Sequence, residues 1–88
     1  MISSGQINAI AAKIETMGVD EATVLALRQH YQPIHFTYCM DDDLPNNTPV
    51  IERNGFNLYL IDGREHCLCL TNDYDLATGI VVAEIIPD

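Results

Sequence analysis

Two glycine-bearing dipeptides, Asn54-Gly55 and Asp62-Gly63, interrupt residues 49–70 and leave three short runs in which apolar and polar side chains alternate. Glycine takes up the positive dihedrals of tight hairpin turns at no Cβ cost, so this spacing predicts two two-residue hairpins and a three-stranded antiparallel meander. Counting across the turns sets Ile51 opposite Leu58, Leu58 opposite Cys67 and Phe56 opposite Cys69, with Leu60 on the same face. That face is expected to be the core. The alternate face carries Val50, Glu52, Asn57, Tyr59, His66 and Leu68, with Tyr59 opposite His66, and reads as a semi-polar contact surface.

Upstream the period changes. Ser3-x-x-Gln6 forms a capping box with Ile2 and Ile7 as its hydrophobic staple, and apolar residues recur at Ile10, Ala11, Ile14 and Met17. Gly18 closes this helix. Asp20 caps a second one, which turns Val24, Leu27 and Tyr31 inward and stops before Pro33. Residues 34–40 alternate as a half-buried strand, whereas residues 80–86 are β-branched and almost wholly apolar. Such a run is expected to be covered on both faces, as a central strand or as an edge strand in a dimer. The fold expected is a single α+β domain over residues 1–88, with an N-terminal αα-hairpin packed on an antiparallel sheet of about four or five strands.

Thirteen acidic against four basic residues give a net charge of -9. A surface of that sign repels phosphate backbones, so nucleic acid is not an expected partner even though two short helices follow one another and Arg28, Gln29 and His30 lie on the second. No apolar run reaches the ~20 residues a membrane helix needs, and the first residues lack the pattern of a secretory signal. A cytoplasmic location with no membrane contact is the expectation. Three cysteines, an odd number, fit reduced thiols better than a disulfide framework.

The residues that could carry chemistry are few. Cys67-Leu68-Cys69 sets two thiols on one strand face, and with Cys39 they offer three soft ligands to a metal, although a zinc knuckle normally uses C-x2-C on a turn. Asp41, Asp43, Asn47 and Glu52 stand near calcium-loop offsets, but Pro45 and Asn46 break the pattern and favour a solvated acidic turn. His30, His35 and His66 have no recognisable nucleophile beside them, and Ser3 and Ser4 serve as helix caps. No cofactor is expected, and the chain does not read as an enzyme.

The segments at residues 35–43 and 56–63, continuing through His66-Cys67-Leu68, resemble a family of small, uncharacterised bacterial proteins associated with nitrogen-fixation gene clusters. The resemblance spans residues 34–84 and implies an accessory role near nitrogenase or its iron–sulfur machinery. The function expected is non-catalytic binding of a larger protein, with a homodimer left open. The contact residues are expected to be Asp41, Asp42 and Asp43 together with Tyr59, His66 and Leu68. The alternatives are a metal-handling protein using Cys39, Cys67 and Cys69 and a small-molecule binder on the Tyr59 and His66 face.

Overall fold

The computed structural model describes residues 2–44, 47–63 and 69–86. Helix α1 (Ser4–Met17) starts where Ser3 Oγ accepts the Gln6 amide at 3.0 Å, and it buries Ile7, Ile10, Ala11 and Ile14. Its last turn closes through the Gly18 amide, which donates to the Ile14 carbonyl at 2.8 Å. Helix α2 (Glu21–His30) begins on Asp20, whose carboxylate accepts the Thr23 amide at 2.8 Å, and buries Thr23, Val24 and Leu27. Each start satisfies an amide that a helix end otherwise leaves unpaired. Both helices follow the predicted periodicity, except that Met17 at the end of α1 faces solvent.

Five strands follow: β1 (His35–Met40), β2 (Ile51–Arg53), β3 (Phe56–Asp62), β4 (Cys69–Thr71) and β5 (Gly79–Glu84). The order across the sheet is β1-β5-β3-β2, with β4 also paired to β3. Strand β5 is central and fully buried from Gly79 to Ala83, as its β-branched run requires. The sheet is mixed, because β1 runs parallel to β5 while β3 runs antiparallel to it. A parallel neighbour so far away in sequence leaves no local trace.

The Asn54-Gly55 turn is as predicted: Arg53 pairs with Phe56, Ile51 with Leu58, and Gly55 has φ 89°. The second hairpin is not. Strand β4 pairs Cys69 with Asp62 and Thr71 with Leu60, so Asp62-Gly63 opens a longer connection, and Cys69 is not opposite Phe56. Because β5 occupies one edge of β3 from Phe56 to Ile61, β2 and β4 share the other edge end to end. The predicted three-stranded meander is therefore a single hairpin with a short strand added beyond it.

Alternation along the strands divides the apolar residues between two faces. Phe36, Phe56, Leu58, Leu60, Ile80 and Val82 meet the helices in the main core. Tyr59, Ile61, Val81 and Ala83 form a second cluster on the opposite face, with Cys39, Leu44 and Leu70 packed against it. Among the described residues no helix covers that second face. Its cover over Ala83 and Tyr59 comes from the chain that leaves β1.

Candidate functional site

At the end of β1 the chain enters a single 3-10 turn, Asp41–Asp43. Cys39 lies beside Ala83 in register, and the small alanine leaves space above β5 for the turn to fold back across the sheet. Leu44 then joins the second apolar cluster. From this position Asp41 reaches two donors on β3: Asn57 Nδ2 donates to its Oδ1 at 3.0 Å and the Tyr59 hydroxyl at 2.9 Å. Both donors belong to nearly buried residues, Asn57 at 8% and Tyr59 at 3% exposure, so the aspartate supplies an acceptor to groups largely withdrawn from water. Burial, and after it the bond to Asp41, raises the Tyr59 phenol above its ordinary range.

The three aspartates predicted as one contact cluster thus divide into two roles. Asp41 is half-buried and turned inward, while Asp42 and Asp43 are exposed. Tyr59, predicted on a contact surface, is inside the molecule because the turn lies over it. His66, Leu68 and Cys67 lie outside the described residues, and the β3–β4 register is not the one that would set Tyr59 opposite His66.

The same end of the sheet carries further groups. Met40 and Glu84 are register partners, so β1 runs out into the aspartates beside the point where β5 runs out into Ile85 and Ile86. These two isoleucines are 36% and 64% exposed. Glu84 accepts a hydrogen bond from the Tyr38 hydroxyl, which pushes that phenol up to about 12, with burial adding to the effect. The end surface therefore combines Asp42, Asp43 and Glu84 with two exposed aliphatic side chains.

The two described thiols do not converge. Cys39 sits on β1 and the exposed Cys69 on β4, with β5 and β3 between them. Three inter-strand spacings of roughly 4.8 Å each put them too far apart to share one ion. Burial raises the Cys39 thiol, and the charges of Asp43 and Asp41 add to this, which favours the protonated form over the thiolate that a nucleophile or soft-metal ligand needs. Among the described residues no group of three or more His, Cys, Asp or Glu side chains is arranged to hold a metal ion. His30 is exposed and packs edge-on against the Tyr31 ring at 4.7 Å, and His35 is exposed at the start of β1. A cleft of about 640 Å³ lies at the other end of the sheet, lined by residues that include Arg28, Ile34, Phe36, Ile61 and Thr78 but not by Tyr59.

Sequence reasoning set Asn57 on the semi-polar face without its bond to Asp41, and it missed Glu84. Their partners lie 16 and 46 residues away, beyond any local pattern.

Residues 9–85 match a family of unknown function (DUF6129), and the chain belongs to that family. No curated protein and no solved structure matches it.

Proposed function

We propose that this member of the family is a non-catalytic accessory protein that binds a larger partner through the acidic end of its sheet. The observation that carries the reading is the split among the aspartates: Asp41 is bonded to Asn57 and Tyr59, and the turn so held sends Asp42 and Asp43 into solvent. A turn fixed before contact loses less conformational freedom on binding than a mobile acidic loop does. Ile85 and Ile86 supply apolar area beside the charges, and exposed acids at such a rim speed the approach of a basic surface. The partner is expected to present lysines or arginines around an apolar depression. The resemblance to proteins of nitrogen-fixation gene clusters gives that partner a setting, near nitrogenase or its iron–sulfur machinery. Location in the cytoplasm belongs to the same proposal.

The test is affinity capture from host lysate on immobilised wild-type protein and on the D42N/D43N variant. The wild type should retain a basic protein in dilute buffer and release it as salt is raised, and the variant should retain much less of it. Equal retention by the two, or no specific retention by either, overturns the proposal.

A further inference from the structure

Among the described residues strand β1 has one strand neighbour, β5, and its other edge is open. The His35 amide donates to the Thr78 carbonyl at 3.2 Å, so His35 points its backbone groups at β5. The Phe36 carbonyl points the other way and accepts from Arg28 Nε at 3.0 Å. By the two-residue alternation of a strand, Tyr38 and Met40 present their backbone amides and carbonyls at the same open edge as Phe36. An open edge of this kind is a template for another strand unless charge, proline or a bulge blocks it; residues 35–40 contain no Lys, Arg, Asp, Glu or Pro, and the one described charge on the edge is Arg28, which occupies one lone pair of the Phe36 carbonyl.

Beside that edge runs α2, with a groove of about 360 Å³ between them lined by Glu21, Val24, Leu25, Arg28, Thr37 and Tyr38. Glu21, Leu25 and Arg28, spaced four and three residues apart, share one helix face. Leu25 is 52% exposed, a large apolar side chain between an acid and a base. Apart from the Nε bond to Phe36, the Arg28 guanidinium has no carboxylate in ion-pair range among the described residues, whereas Arg53 is paired to Glu15 at 2.8 Å.

We infer that a second copy of this chain docks here, β1 against β1 antiparallel about a two-fold axis at Tyr38, joining the two sheets into one. An isologous interface needs a surface that complements itself under that rotation. This one does. Centred on Tyr38, the Phe36 amide meets the Met40 carbonyl of the second copy, the Phe36 carbonyl takes the Met40 amide on its second lone pair beside the Arg28 bond, and the two Tyr38 residues exchange their amide–carbonyl bonds. Arg28 lies level with Phe36, early in β1, while Glu21, seven residues earlier on α2, lines the same groove near enough for its charge to act on Tyr38. The rotation therefore brings each Arg28 to the Glu21 of the other copy and sets the two Leu25 side chains face to face between them. A partner with a different helix sequence would satisfy the strand edge but not this charge pattern.

The test is the mass in solution by light scattering at physiological salt, where a Debye length of about 8 Å screens the overall repulsion of two acidic chains more than contacts at the interface. The wild type should show twice the 9.8 kDa of one chain. E21R and R28E should each show half of the wild-type mass, since each sets like charges face to face. An equimolar mixture of the two variants should recover the doubled mass. In the mixed pair the arginine introduced by E21R meets the glutamate introduced by R28E at one contact, and the native Arg28 and Glu21 meet at the other. L25D, which leaves Arg28 and its bond to Phe36 in place, should also run as a single chain with unchanged circular dichroism. A wild type that stays single over the accessible concentrations, variants that remain doubled, or folded single-chain variants that do not recover on mixing would overturn the inference.

Discussion

Asp41 is the residue that holds the acidic turn on which the proposed contact surface rests, although it is the member of the aspartate triplet least able to touch a partner. Replacing it by alanine leaves Asn57 and Tyr59 as nearly buried donors with no acceptor, and D41A should lower the unfolding free energy by about 1–3 kcal/mol. Y59F removes one of the two bonds together with its donor and should cost less, about 0.5–1.5 kcal/mol, while D42N and D43N should leave the denaturation midpoint unmoved. Urea titrations of the four variants separate these outcomes. Tyr38 gives a prediction in pH. Its hydrogen bond to Glu84 raises the folded phenol from an ordinary 10.0 to about 12, so the folded chain holds the proton more tightly than the unfolded one. That contribution to stability is whole below pH 10.0 and is lost as pH rises through about 12, because the unfolded chain gives up its proton first. Ultraviolet titration of folded protein should show a tyrosine ionising late, and Y38F should remove that step and flatten the fall in stability.

The parallel pairing of β1 with β5 depends on one close approach. A Cβ on Gly79 would stand 2.9 Å from the His35 carbonyl oxygen and 3.0 Å from its Cβ, so G79A must push two strands apart and should cost about 1–3 kcal/mol. Gly55 has open space around it but φ 89°, and G55A should cost about 1–2 kcal/mol from backbone strain alone. The Asn54-Gly55 hairpin was legible in the sequence because its loop is as short as a loop can be and the alternation on both sides is unbroken. Asp62-Gly63 has the same turn chemistry but begins a longer excursion, and turn residues do not reveal how many residues follow before pairing resumes. The error moves Cys69 from opposite Phe56 to opposite Asp62 and from the expected core to the surface. Iodoacetamide should consequently label Cys69 quickly and Cys39 slowly in the folded protein, as read by peptide mapping, and protection of Cys69 equal to that of Cys39 would contradict the observed register. The helices were legible for the opposite reason, since a cap and a 3.6-residue period are written within one element.

The molecule separates its features by position: helices on one face of the sheet, an acidic turn over the other and, among the described residues, an open strand edge beside α2. The sequence announced the acidic triplet and the net charge of -9, on which the proposal of a partner of opposite sign draws. It could not announce that Asp41 turns inward, because this depends on Ala83 being small enough to let the chain cross β5 and on donors of β3 that come near only in the folded sheet. Nor could it show that Tyr59 is covered by that crossing and withdrawn from any contact. What remains outside, Asp42 and Asp43 beside Ile85 and Ile86, is the surface the proposed function uses. The most direct measurement is the association rate of the captured partner with wild type and with D42N/D43N across a range of ionic strength. The wild-type rate should fall steeply with salt, the variant should be slower in dilute buffer, and the two should converge as the Debye length shrinks to about 3 Å at 1 M. A wild-type rate indifferent to salt, or a variant that associates as fast as wild type in dilute buffer, would contradict the proposed function.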